Sequence, residues 1–309
     1  MKTVFMGTPD FAARSLEALL KAGIKPRLVV TKPDKKRGRG QLLQPTPVKI
    51  IAEAAGLSVV APQSVNTPEF LEQLRLLAPD LIIVVAFGQL IKKELLQLPP
   101  QGIVNVHASL LPKYRGAAPI HRAILNGETE SGVTTMLIDE GMDTGDMLLT
   151  AKTPISSDMT TGELHDILAD LGGKLLVKTV RAIKAGNCPR TVQNHNAATY
   201  AARLNREEEL LDWHKDAAEL HNQIRGLSPF PGAYTMLNGK RFKIFRSQIA
   251  GHSDECRPAG EIISVDNGLL VQCGRGALHL LIVQPEGKNA LAAVDFLRGA
   301  KLQKGTILG

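Results

Sequence analysis

The sequence predicts an α/β protein, a Rossmann-like parallel sheet domain over residues 1–189 followed by a small OB-like β-barrel domain over residues 206–309. Three observations carry this. Short apolar runs alternate with helical patterns through the first 185 residues, the order expected of strands joined by crossover helices. A polar stretch at 190–205 reads as a linker, and after it one helical pattern gives way to short alternating runs separated by turn residues. The length, 309 residues, exceeds what one core usually organises.

The first run, Val4-Phe5-Met6, is stopped by Gly7-Thr8-Pro9-Asp10 and reads as a strand rather than as the core of a signal peptide. Further strands are expected at Val29-Val30, Leu81 to Ala86, Ile103 to His107 and Val133 to Ile138. Three helices are announced by Thr8-Pro9, Thr46-Pro47 and Thr67-Pro68, with threonine capping and proline in the first helical position. Gly23 and Gly56 close two of them. Between the second strand and the helix at Pro47 lies Lys32 to Pro45, longer than most such connections and therefore functional or disordered. A long helix from Thr161 to Ala185 ends the first domain. The second is expected to open with a helix from Arg206 to Arg225, then a hairpin at Asn238-Gly239 and a turn at Asp266-Asn267-Gly268.

Composition removes several classes. No apolar run approaches the roughly 18 residues a membrane span requires, so a cytoplasmic protein is expected. Cys188, Cys256 and Cys273 are too few and too scattered for a disulfide framework or a zinc cluster, and the other histidines (121, 165, 195, 214, 221, 252 and 279) have no metal spacing. The first strand is not followed by G-x-G-x-x-G, and the sequence has no Walker loop, no H-E-x-x-H and no G-x-S-x-G. Gly172-Gly173-Lys174 lies inside a helical pattern and reads as a packing contact. The formal charge is +7, and residues 32–49 alone hold six cations against one acid.

Chemistry concentrates between residues 105 and 146. Alternation puts Asn105 and His107 on one face at the C-terminal end of a strand, where open parallel sheets place their sites. A satisfied structural His-Asn pair is the other reading of the same residues. Ser109 to Gly116 leaves that strand as a loop shaped by Pro112. Asp139, Glu140, Asp143 and Asp146 crowd a glycine-hinged turn after a later strand, and by composition alone any of them is a partner for the imidazole.

At these residues the sequence resembles the formyltransferases that use 10-formyltetrahydrofolate. The resemblance rests on Asn105-x-His107, His107-x-Ser109-Leu110-Leu111-Pro112-x-x-x-Gly116 and Leu137-x-Asp139-x-Gly141-x-Asp143-x-Gly145. Gly7 to Ala12, Arg37-Gly38-Arg39-Gly40, Arg115 to Ile120 and the C-terminal barrel extend it over the whole chain. It implies a formyl group carried from 10-formyltetrahydrofolate, as co-substrate, to the methionine of initiator methionyl-tRNA, by a monomer working without a metal or a membrane. In such a reaction the formyl oxygen gains charge, which Asn105 and a protonated His107 would stabilise. The motif register then selects Asp143 to accept the amine's proton and keep the ring cationic. The resemblance also implies that Ser109, Leu110, Leu111 and Pro112 line the folate site and that backbone at Phe87, Gly88, Gln89 and Leu90 receives the pterin. Residues alone favour a helix start for that last segment. Lys35, Lys36, Arg37 and Arg39 would meet tRNA phosphates, as would Arg241 and Lys243 on the barrel, where a merely solvated strand face is the other reading. An amino-sugar nucleotide as acceptor, or a non-catalytic RNA-binding protein, are the alternatives.

Overall fold

Val4, Phe5 and Met6 lose all contact with solvent, so β1 (Thr3–Gly7) is buried on both faces, as a central strand flanked by helices must be. The structure, a computed structural model, describes residues 1–37, 42–251, 257–266, 268–300 and 302–309, with the side chain of Arg37 outside that set. Cys256 and Asn267 also lie outside it.

From β1 the chain continues through α1 (Asp10–Lys21), β2 (Leu28–Val30), β3 (Lys35–Arg37), β4 (Leu42–Gln44), α2 (Pro47–Ala54), β5 (Val59–Val60), α3 (Pro68–Leu77), β6 (Leu81–Val85), α4 (Lys93–Leu96) and β7 (Ile103–His107). It then forms β8 (Arg115–Gly116), α5 (Pro119–Leu125), β9 (Glu130–Leu137), β10 (Met147–Pro154), α6 (Thr161–Lys184) and β11 (Tyr200–Ala201). Seven strands make one sheet in the order β10-β9-β7-β6-β1-β2-β5.

The sheet is mixed rather than wholly parallel. β1, β2, β5, β6 and β7 pair parallel, but β9 runs antiparallel to β7, with His107 opposite Thr134 and Val104 opposite Leu137. The connection from His107 to Glu130 holds one helix, the seven-residue α5, and β9 starts beside the end of β7 and runs back along it.

Thr46 and Thr67 cap α2 and α3 as expected, accepting from Lys49 N at 3.2 Å and Phe70 N at 3.3 Å. The first Thr-Pro pair behaves differently. Pro9 itself occupies the cap position of α1, and the Thr8 hydroxyl donates instead to Phe87 O at 3.4 Å. Gly172 and Gly173 do serve packing: a Cβ on Gly173 would stand 2.9 Å from the Ala18 Cβ, so α6 and α1 touch there only without side chains. The long connection after β2 contains the antiparallel pair β3 and β4, with Lys35 opposite Gln44 and Arg37 opposite Leu42. Its base is tied by Asp34 to Lys49 at 2.6 Å, and that hydrogen bond raises the Lys49 pKa.

By internal contacts residues 1–116, 131–153 and 165–201 form one compact unit, and 117–130, 154–164 and 202–309 form another. The second contains α7 (Ala217–Gly226), β12 (Ala233–Leu237), β13 (Lys240–Ala250), β14 (Ile262–Ser264), β15 (Leu269–Gln272), β16 (Ala277–Pro285), β17 (Leu291–Ala292) and α8 (Ala293–Gly299). The helix expected from Arg206 starts only at Ala217. A capping box of Asp216 and Glu219 sets that start, while the expected first turns hold only a 3-10 turn at Glu207–Glu209 and Leu211 N is drawn to Tyr234 O at 2.8 Å. Asn238 and Gly239, at φ 52° and 73°, make the expected hairpin turn between β12 and β13.

The antiparallel order β12-β13-β16-β15-β14 curls around Trp213, Leu220, Ile224, Phe242, Ile244 and Leu278. Residues 306–309 span its two edges: Thr306 O accepts from Ile262 N at 2.8 Å, and Gly309 N donates to Met236 O at 3.0 Å. Cys273 is buried in this unit, and burial pushes its thiol up to about 12, which makes it a packing residue rather than a nucleophile. His221 is likewise structural, bonded to Ser247 and to the carbonyl of Ser157 at 3.0 Å each.

Candidate active site

Asn105 and His107 lie in the C-terminal half of β7, and the structure brings one of the four competing carboxylates to His107. Asp143 Oδ2 lies 3.6 Å from His107 Nδ1. Asp139 is spent inside the turn, accepting from Thr144 Oγ1 at 2.7 Å and Gly141 N at 3.1 Å, and Glu140 is exposed beside Lys93. Asp146 uses its backbone oxygen to hold Leu137 N and has no side-chain partner among the described residues.

Asp143 reaches the imidazole by an indirect route. Since β9 is antiparallel to β7, its last residue lies beside the start of β7, at the opposite end from His107, and the turn that follows doubles back along the sheet. Gly145 permits this, because a Cβ there would stand 2.0 Å from Leu137 O. Asp143 is held at φ 53°, a region side chains seldom enter, and its Oδ2 accepts from Gly116 N at 2.8 Å. Oδ1 has no hydrogen bond among the described residues.

His107 is 6% exposed, and its Nε2 faces Tyr114 O at 2.9 Å. Acceptors therefore stand at both ring nitrogens; a neutral imidazole has one N–H and serves one of them, whereas an imidazolium serves both. The Asn105 carboxamide is half-buried and makes no hydrogen bond among the described residues, so of this pair only Asn105 is uncommitted. A donor and an acceptor left open beside a carboxylate–imidazole pair suit chemistry at a carbonyl that gains negative charge while a proton moves.

The loop Ser109 to Pro112 follows directly and is stitched to β9: Thr134 Oγ1 donates to Ser109 O at 2.8 Å and accepts from Leu111 N at 3.2 Å. Ser109 and Leu111 are buried and Leu110 half-buried. Phe87 to Leu90 is not a helix start but a loop, with Gly88 at φ 72° and α4 beginning only at Lys93. Gln89 anchors it by accepting from Val65 N at 2.9 Å; Phe87 packs in the core and Leu90 is exposed. A Cβ on Gly88 would meet the Lys32 ammonium at 2.7 Å.

Lys35 and Lys36 stand exposed on β3; Arg39 and the side chain of Arg37 lie outside the described residues. In the second unit Arg241 is exposed and lies 4.2 Å over the Tyr234 ring, while Lys243 is half-buried and spends its ammonium on Pro231 O at 2.7 Å. Two side chains escaped the sequence reading. Arg115, 1% exposed, donates to Gln193 Oε1, and Gln193 Nε2 donates to the carbonyls of Asp143 and Gly145. Arg115 belongs to the Arg115 to Ile120 motif, and Gln193 to the polar stretch expected to be a linker; no local signal marks a glutamine that is buried only by distant contacts. No group of three or more metal-ligating side chains occurs among the described residues, nor any helix long and apolar enough to cross a membrane.

Residues 1–180 match the family model for formyl transferases, and 203–301 match that for the formyl transferase C-terminal domain. The chain belongs to the formyl transferase family. Among curated relatives it is 51% identical to the methionyl-tRNA formyltransferase of Moorella thermoacetica, over all of this chain and 99% of that one. It is 46% identical to that of Desulforamulus reducens, over all of this chain and 98% of that one. Among solved structures, an N-formyltransferase from Helicobacter canadensis in complex with folinic acid and dTDP-3-aminofucose shares the fold at TM-score 0.67 and 23% identity, over 91% of this chain and 99% of that one. In this formyltransferase, Gly145→Ala should push the Asp143 turn off β9 and lower the turnover number roughly 100-fold, the scale of an ångström-sized misplacement. Steady-state kinetics on the folded variant check this, and unchanged turnover would remove the demand for glycine.

Proposed function

We propose that this chain transfers the formyl group of 10-formyltetrahydrofolate to the α-amino group of methionine esterified to initiator tRNA. The observation that carries the reading is the Asp143–His107 pair, 3.6 Å apart, beside the uncommitted carboxamide of Asn105. Full-length similarity to methionyl-tRNA formyltransferases supports the acceptor, and the motif resemblance supports the folate donor.

The amine nitrogen attacks the formyl carbon, and the carbonyl oxygen becomes an oxyanion that the Asn105 N–H groups stabilise. Asp143 takes the proton released by the amine through its open Oδ1. The bond from carbon to N10 then breaks, and N10 gains a proton passed on by the Asp143–His107 pair, so no proton is lost or gained overall. Ser109 to Pro112 and the backbone of Phe87 to Leu90 hold the folate. Lys35, Lys36, Arg37 and Arg39 meet tRNA phosphates, and Arg241 adds a contact from the second unit. Lys243, bound to Pro231 O, contributes by bracing the surface of that unit, with its charge reaching the tRNA only over distance.

The test offers labelled 10-formyltetrahydrofolate with initiator methionyl-tRNA, elongator methionyl-tRNA, free methionine and an amino-sugar nucleotide in parallel. Label on the initiator alone is the expected result. Label on the sugar would move the acceptor to another class, and label on none would end the proposal.

A further inference from the structure

Asp143 is not delivered to His107 by its own strand; it is held there from outside. Its carboxylate rests on Gly116 N at 2.8 Å, and its backbone carbonyl accepts from Gln193 Nε2 at 2.8 Å, as does that of Gly145 at 2.7 Å. Gln193 lies fifty residues further along the chain, 2% exposed. Its other end is fixed by Arg115, whose Nε and second terminal nitrogen donate to Gln193 Oε1 at 3.1 and 2.7 Å.

The guanidinium has only donors, so it dictates which way the amide faces. A flipped Gln193 would set its NH₂ against Arg115 and its oxygen against two carbonyls. In the observed orientation both N–H groups and both oxygen lone pairs are used, and a buried amide with every partner in place has one low-energy position. The remaining end of Arg115 lies 3.3 Å from His195 Nδ1, and Arg115–Gly116 pairs as β8 with β11, Tyr200 with Arg115. Both grips on Asp143 thus come from one assembly: the amide of Gly116, and the side chain of Gln193 oriented by Arg115.

We propose that Gln193 is a positioning residue for formyl transfer, holding the Asp143 turn in its left-handed conformation so that the carboxylate faces His107, with Arg115 fixing the orientation of its amide. This role rests on the reading of Asp143 as the group that takes the amine's proton. Gln193 itself touches neither the reacting atoms nor His107 among the described contacts.

The experiment is steady-state kinetics of the full chain with initiator methionyl-tRNA and 10-formyltetrahydrofolate, comparing Gln193→Met, Gln193→Glu, Asp143→Asn and the double variant Gln193→Met with Asp143→Asn. Gln193→Met should lower kcat roughly 10- to 100-fold while leaving both KM values within about twofold, because the misplaced group acts on the reaction and not on binding. Added to Asp143→Asn it should cost nothing more, since residues acting through one group are non-additive. A purely structural glutamine would instead lower the melting temperature and compound the loss in the double variant. If Gln193→Met does not fold, Gln193→Glu decides: it keeps an acceptor for Arg115 but turns an oxygen toward two carbonyls, and a folded protein with lowered kcat supports the role. Parental kcat in either folded variant, or further loss in the double variant, overturns it. Parental transfer by Asp143→Asn would remove the catalytic reading itself, whereas an inactive Asp143→Asn beside normal Gln193 variants removes only the role of Gln193.

Discussion

Asp143→Asn should reduce turnover about a thousandfold, within the range general-base removal usually costs, and leave the fold intact. The substitution is nearly isosteric, and its remaining carbonyl oxygen still accepts from Gly116 N, which sits 2.8 Å from the native Oδ2. What disappears is the negative charge 3.6 Å from His107 and the ability of Oδ1 to take a proton. The loss should therefore fall on kcat, with the KM for tRNA nearly unchanged. Near-parental turnover at saturating substrates would show that another group receives the amine's proton, and Asp146, with no side-chain partner among the described residues, would be the next to replace.

His107→Ala should be at least as damaging, with transfer down by roughly a thousandfold or more, because it removes the partner of Asp143 and the hydrogen bond between the imidazole and Tyr114 O. Binding of tRNA should survive, since His107 is 6% exposed and lies far in sequence from Lys35, Lys36, Arg37 and Arg39. Gel-shift titration beside the transfer assay separates the two. His107→Gln refines the result: it restores a donor to Tyr114 O without a titratable ring, so recovery of turnover by that variant would reduce the histidine to a hydrogen-bond donor.

The parts of this molecule legible in its sequence are those fixed by near neighbours. Thr46 and Thr67 cap helices because their hydroxyls need travel only three residues, and Asn238-Gly239 turns because its own backbone permits it. Asn105 and His107 fell on one face by alternation, and Asp143 was picked out by motif register rather than by physics. Apart from the loop at Phe87 to Leu90, where Gly88 takes a positive φ, the misses are long-range. The direction of β9 depends on its pairing with β7, the departure of Thr8 from its cap depends on Phe87, and the late start of α7 accompanies the pairing of Leu211 with Tyr234. Gln193 was hidden for the same reason: its partners are 50 and 78 residues away.

That last separation has a bearing on when the enzyme is competent. β11 is a two-residue strand with Tyr200 largely exposed, and apart from the buried Gln193 and Ala201 the chain from 190 to 201 lies at the surface, whereas β1, β6 and β7 are sealed inside the sheet. Segments so lightly attached open by local fluctuation at a fraction of the free energy needed to unfold a core. The support of the Asp143 turn thus comes from a segment outside the central sheet, and heat or mild denaturant is expected to lower formyl transfer before the sheet itself unfolds, which activity and circular dichroism followed together through one melt would check.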